Sequence, residues 1–298
     1  MASKETLWVS GVSGGNNKGG TSFNRAPNKN QIEGVLVIMK KLTATPKERG
    51  EALQYLSVNR EHIPDLAKYL WYSPSTITVL LGEIVSAYPY LATNNLDITL
   101  SHRVCNALAL FQCVAGHDET RMPFVKANIP MYLFPFLHHI NTSKEAEYLK
   151  LTSLGIIGSL VQTDQPEIIE YLLNSDFVPM CLRILKFSQE ISRTVAAFII
   201  QKIICDEGGR KFICSSKEKI ETVIKVLNKV LVDMSKTSPA RLFKHVIASY
   251  QRLLEVSEVK IVLSGLQMPD IATLDVDQIA DEQFKQFLVQ LKHDFGCK

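Results

Sequence analysis

Ser101–Leu137, SHRVCNALALFQCVAGHDETRMPFVKANIPMYLFPFL, is the stretch whose reading decides the fold. Val104, Leu108, Phe111 and Val114 recur at three- and four-residue steps, so they form one apolar stripe on a helix. Ala107, Leu110 and Cys113 widen the stripe, and a helix apolar over most of its girth is buried from several sides. Asp118 is read as the cap of a short helix that follows. Pro130 is placed to begin a third, because a missing N–H costs nothing at a first helical position. One long buried helix and two shorter ones make a unit.

The same unit recurs outward from this stretch. Ile129-Pro130-Met131 and Val178-Pro179-Met180 match, with Leu133 and Leu182 each three residues past the proline, and the two prolines lie 49 positions apart. Ile63-Pro64 is a looser copy, 66 positions before Pro130. A short helical stretch precedes each (ALQYL, RMPFV, IIEYLL) and a long one follows. Three helices per roughly 40–47 residues is the armadillo or HEAT period. Units of this kind cannot bury their own faces, so they stack. The fold class expected is all-α, an armadillo-type right-handed α-solenoid of about six three-helix repeats over residues 29–298.

Further helices are expected from the same periodicity. IEGVLVIMKKL begins near Gln31, and Thr45-Pro46 caps and opens the next helix. Pro64 opens DLAKYLW, and Ser73-Pro74 opens a helix to about Tyr88. Lys144–Gln162 places Leu151, Leu154, Ile157 and Leu160 inward, with Gly155 and Gly158 permitting close approach. Pro166 opens EIIEYLLNS, FVPMCLRIL follows, and then come 189–205, 216–235 and 238–254. The tail from about 256 is expected to cap the array. Residues 1–28, rich in Gly, Asn and Ser, are expected to form a disordered leader.

Composition narrows the function classes. Of 298 residues 46% are hydrophobic, and the net charge of +3 is too small to imply nucleic-acid binding by itself. Six cysteines (Cys105, Cys113, Cys181, Cys205, Cys214, Cys297) form no CxxC pair and read as buried reduced thiols of a cytosolic or nuclear protein. No signal peptide and no apolar run of about 18 residues is found, so no membrane partner is expected. Lys18 sits among glycines, but Gly19 follows it and no βαβ unit does, so it is not a phosphate loop. His117-Asp118, with His102 and Asp164 as outliers, is the one constellation reminiscent of a helical metal phosphohydrolase. Capping accounts for Asp118 and the helix-end dipole for His117. His138-His139 ends a helix and reads as surface. His245 reads as a satisfied partner on an inner helix. No Gly-x-Ser-x-Gly, HExxH or paired-carboxylate motif is present. Neither a catalytic residue nor a metal or other cofactor is expected.

Placement of the basic residues is more informative than their number. Arg103, Lys150, Arg193 and Arg241 occupy matching positions on the long third helices, at separations of 47, 43 and 48 residues. Two readings fit them. They form a cationic ladder for phosphate backbones or acidic segments, flanked by Lys202, Lys244 and Arg252. Alternatively, each is a helix-end charge supporting its neighbours. Few aromatics interleave, so base stacking is not supported.

Several longer words carry a resemblance: Arg103–Leu110 (RVCNALAL), Glu147–Val161 (EYLKLTSLGIIGSLV), Ser238–Val246 (SPARLFKHV) and PDLAKYLW up to Trp71. The chain resembles the Rcd-one-like, or required-for-cell-differentiation, family from about residue 30 to about 255. Its members, also called Caf-forty or NOT-nine, are the armadillo subunit of the CCR-four–NOT deadenylase complex. The resemblance implies a non-catalytic adaptor in mRNA decay and translational repression, cytoplasmic and also nuclear. The partners it implies are the NOT-one scaffold subunit, peptide motifs of RNA-associated repressors, single-stranded nucleic acid and a second copy of the chain. Arg103, Lys150, Arg193 and Arg241 match the family's basic cleft. Its helix-docking groove maps to Tyr72, Pro74, Thr78 and Val85, where the family usually has His and Phe in place of Tyr72 and Pro74. Its tryptophan-accepting pockets use a Tyr and an Arg where Lys217 and Lys219 stand here, so weak capture of Trp-containing peptides is expected. The alternative is a nucleic-acid-binding transcriptional cofactor acting through the basic cleft.

Overall fold

In the computed structural model, the described residues are 29–140, 143–234, 240–266 and 282–294. The leader expectation and Cys297 lie outside them. Every regular element among the described residues is helical. The helices group into two compact units, one running to Leu160 and the other starting at Val161.

The first unit contains α1 (Lys29–Lys41), α2 (Pro46–Asn59), α3 (Leu66–Trp71), α4 (Pro74–Ser86), α5 (Tyr88–Ala92), α6 (Ile98–Gly116), α7 (Asp118–Lys126), a 3-10 turn (Ile129–Leu133), α8 (Phe134–His138) and nearly all of α9 (Lys144–Val161). α2 starts on a full capping box. The Thr45 hydroxyl accepts from the Glu48 N–H, and the Glu48 carboxylate accepts from the Thr45 N–H. Asp97 caps α6 by accepting from the N–H groups of Thr99 and Leu100. From Leu100 to Ala115, α6 is buried around most of its circumference, and Phe111 meets Phe124 of α7 at 5.5 Å between ring centroids.

Contacts between successive long helices follow the repeat. The Ser57 hydroxyl donates to Asn106, 49 residues on. Thr152 donates to the Cys105 sulfur, and Gln112 donates to Ser159, each pair 47 apart. Gln112 lies over Gly155, where an added Cβ would stand 3.3 Å from its amide nitrogen. The glycine is what lets α6 and α9 approach there.

The second unit holds α10 (Pro166–Leu173), α11 (Phe177–Phe187), α12 (Glu190–Cys205), α13 (Glu207–Ile213), α14 (Lys217–Met234), α15 (Ala240–Leu254), α16 (Ser257–Gly265) and α17 (Glu282–Asp294). Like stacks on like: α10 packs on α13, α11 on α14 and α12 on α15. This is how a three-helix module buries a face it cannot cover alone. Tyr250 and Asn228, both buried, share a hydrogen bond between α15 and α14.

Three sequence expectations are corrected. His117, not Asp118, is the N-cap of α7, and its Nδ1 accepts from the Glu119 N–H. Asp118 is the first helical residue and accepts from Arg121 at 2.9 Å. The matching words around Pro130 and Pro179 fold differently. The first becomes a 3-10 turn followed by α8, because Pro135 removes a second N–H; the second lies inside the continuous α11. α13 has no counterpart in the sequence reading.

Several turns between helices use residues that tolerate the left-handed region. Asp65, Asn94, Asn128 and Asp164 have φ between 51° and 56°. No helix among the described residues is long and apolar enough to cross a membrane.

Candidate docking surfaces

Pro74 is the first residue of α4, where its missing N–H costs nothing and its fixed φ suits the helix. Thr76, Leu80, Glu83 and Ile84 then point inward, and Pro74, Thr78, Gly82 and Val85 point out. The outward four recur at steps of four, four and three, which is one face of a helix. Tyr72, 66% exposed, stands just before them. The Thr78 hydroxyl donates to the Pro74 carbonyl at 3.0 Å, so its polar group is used internally. Around Gly82 no heavy atom lies within 4 Å of where a Cβ would stand. The face therefore offers a strip of small and apolar groups with bare backbone at its centre. Pro74, Thr78 and Val85 share this face, and Tyr72, at the end of α3, precedes it in sequence.

Behind this strip lies an ion-pair hub that sequence reading missed. Glu83, 6% exposed, accepts from Arg103 of α6 at 2.5 Å and from Arg49 of α2 at 3.4 Å. The Arg49 guanidinium also donates to the Leu42 carbonyl at 3.0 Å. A buried carboxylate persists only with such partners. The signal was available: Glu83 falls on the inward spacing of Thr76, Leu80 and Ala87, where an unpaired charge is not tolerated.

The remaining cations are placed as follows. Lys150 is 5% exposed, and its ammonium is 3.0 Å from the Glu147 carboxylate. Arg193 bonds Asp233 at 3.1 Å and donates to the Leu185 carbonyl at 3.0 Å. That pattern repeats the one Arg49 makes with Leu42 and Glu83. Arg241 and Lys244 are exposed. Lys202 pairs with Asp164 at 2.7 Å, and Arg252 with Glu255 at 2.6 Å. Arg103 and Lys150 belong to the first unit, Arg193 and Arg241 to the second.

At the start of α14, the Lys219 ammonium lies 3.6 Å from the centroid of the Phe212 ring and donates to the Ser215 hydroxyl at 3.0 Å. This cation–π contact covers one ring face. Lys217, 71% exposed, stands 3.8 Å from Glu221.

The groups with chemical potential are otherwise engaged. No cluster of three or more His, Cys, Asp or Glu able to hold a metal occurs among the described residues. Arg121, 2% exposed, donates to the Ala115 and Gly116 carbonyls that end α6, besides pairing Asp118. His245 Nδ1 lies 2.6 Å from Gln201 Oε1, and burial holds its pKa below the usual imidazole value. Burial pushes the thiols of Cys105 and Cys181 up to about 12 and that of Cys113 to about 11, so these sulfurs stay protonated. Cys205, by contrast, is exposed and Cys214 half-buried.

Cell differentiation protein rcd1 of Schizosaccharomyces pombe is 48% identical over 205 residues, covering 69% of this chain and 72% of that protein. Protein CAF40 of Saccharomyces cerevisiae is 46% identical over 217 residues, covering 72% of this chain. The chain spans 58% of the length of CAF40. Among solved structures, a computationally designed armadillo repeat protein for modular peptide recognition aligns with TM-score 0.61 at 16% identity, over 88% of this chain and 99% of that one. A designed armadillo protein bound to a (KR)4 peptide aligns with TM-score 0.59 at 15% identity over the same shares. At that identity the likeness establishes the fold alone, and the fold is an armadillo-type all-α solenoid. With a profile match over residues 38–295, the chain belongs to the Cell differentiation family, Rcd1-like.

Proposed function

We propose that this protein is a non-catalytic adaptor of the CCR-four–NOT deadenylation machinery. In this reading it binds the NOT-one scaffold and, through the outward face of α4, an amphipathic helix from an mRNA-recruiting protein. It works in the cytoplasm and also in the nucleus. Membership in the Rcd1-like family supports the assignment to the complex. The single observation that carries the docking site is the run Pro74, Thr78, Gly82, Val85. It is exposed, at helical spacing, and free of side-chain cover at Gly82. An apolar strip of this kind suits a partner helix with anchors at i, i+4 and i+7.

The nucleic-acid reading draws less support. Arg103, Lys150 and Arg193 each have a carboxylate at hand, so much of their charge is already compensated. Affinity purification of the tagged full chain from its source cells tests the proposal. Recovery of the large scaffold and the deadenylases is expected, with Val85→Asp losing recruiting proteins while retaining the scaffold. Failure to recover the scaffold would remove the adaptor reading.

A further inference from the structure

Three hydroxyl residues stand directly before a proline: Thr45, Ser73 and Ser238. The last lies outside the described residues. The other two share a setting, since each immediately precedes a helix, α2 or α4. They differ in what the hydroxyl does. Thr45 Oγ1 donates to Glu48 Oε2 at 2.7 Å and accepts from the Glu48 N–H, so it is held in the capping box against a carboxylate. Ser73 makes no side-chain cap bond to α4. Its Oγ accepts from the Thr76 hydroxyl at 2.9 Å and lies 3.4 Å from the Ser75 hydroxyl, both neutral groups on the same turn.

The backbone at Ser73 is extended, with φ −105° and ψ 95°, the region a following proline favours. Tyr72, Pro74 and Ser75 around it are exposed, and Ser73 itself is half-buried. An extended, exposed stretch is what a kinase cleft takes in. A first turn without a side-chain cap also peels back more readily than a capped one, which favours Ser73 over Thr45. Ser73 adjoins Pro74, the first member of the outward run Pro74, Thr78, Gly82, Val85.

We propose that Ser73 is a phosphorylation site for a proline-directed protein kinase, and that its phosphate switches off helix docking on α4. Ser73 Oγ attacks the γ-phosphorus of ATP and forms the new O–P bond. The bond from that phosphorus to the β,γ-bridging oxygen breaks, ADP leaves, and the hydroxyl proton passes to the kinase's base. The product carries a charge of about −1.5 to −2 near neutral pH. That charge, at the head of an apolar strip, must shed water before a partner's apolar anchors reach Pro74, so docking is disfavoured. The helix itself is retained, because negative charge is favourable at a helix start. The switch, unlike the modification, rests on the docking role assigned to α4.

Purified full chain incubated with an activated mitogen-activated protein kinase and ATP tests the site, with the products mapped by mass spectrometry. Phosphorylation of Ser73 is expected to be about tenfold faster than that of Thr45, the scale of one lost cap. Pro74→Ala should slow it while leaving the hydroxyl in place. Thermal melting identifies a misfolded variant, and the ratio in the unaltered chain then decides. Modification of Thr45 ahead of Ser73, or of neither, overturns the site. The phosphorylated and unmodified chains, both carrying Ser238→Ala, are then compared in affinity purification from source cells with phosphatases inhibited. The phosphorylated chain is expected to lose the recruiting proteins that Val85→Asp loses and to keep the scaffold. Recruiters lost by Val85→Asp but kept by the phosphorylated chain overturn the switch and leave the docking reading standing. Recruiters kept by both overturn the docking reading and the switch together.

Discussion

The α4 strip and the Phe212 platform are both places where a partner's apolar side chain could settle, yet the chain treats them oppositely. On α4 the outward residues shrink toward Gly82, leaving backbone bare. On the platform, the protein's own Lys219 occupies the ring face at 3.6 Å. One surface is open by omission of side chains, and the other is closed by addition of one. Helix spacing alone predicts the first. The second depends on where a long side chain lies, which spacing does not fix.

The contrast can be broken or sharpened by substitution. The largest effect is expected on the strip. Thr78→Asp or Val85→Asp should weaken docking of a recruiter helix by about 100-fold or more, because an unpaired carboxylate would be desolvated in the interface. Isothermal titration with the helix recovered by affinity purification measures this, and both sites are exposed, so the fold should be unaffected. Next is the hub behind the strip. Glu83→Gln leaves Arg49 and Arg103 without their carboxylate and should cost about 2 kcal/mol, read as a fall in Tm of several degrees. An unchanged Tm would mean that solvent already screens the hub.

Smaller effects are expected at the platform. The unaltered chain should bind Trp-containing silencing peptides more weakly than low micromolar. Lys219→Ser should improve binding about threefold by freeing the ring, the scale of an exposed cation–π contact. Equal affinity for both forms would show that Phe212 is not the limiting wall. The smallest effect concerns His245. Its pKa is depressed in the fold by burial, so the unfolded chain binds more protons in the window just below the usual value of 6.5. Stability should therefore be full above that value and decline as pH falls through it. His245→Gln should flatten the decline in thermal melts between about pH 7 and pH 5.

Much of the architecture was legible because it rests on spacing and punctuation. Thr45-Pro46 with Glu48 marks a helix start, and Val104, Leu108 and Phe111 mark a core face. The helix α13 was not legible. EGGRKFI is short and contains two glycines, which argue against a helix by propensity. The structure explains one of them: a Cβ on Gly209 would collide with the Ile203 carbonyl of α12, so only glycine fits. The four groove positions come from the resemblance, and the common face of Pro74, Thr78 and Val85 follows from α4 being regular. Arg103, Lys150, Arg193 and Arg241 share a spacing in the sequence, but the carboxylates beside the first three do not follow from it. Glu83 and Asp233 lie 20 and 40 residues from their arginines, and only stacking brings them together.

The bare backbone at Gly82 sets a dimension for whatever settles on α4. Packed helices lie 8–10 Å apart, and the shorter value requires a missing side chain at the crossing. A partner helix centred on Gly82 can sink to about 8 Å, at the near end of that range. Its crossing residue then meets main chain directly, so that residue fixes the register in which the two helices engage.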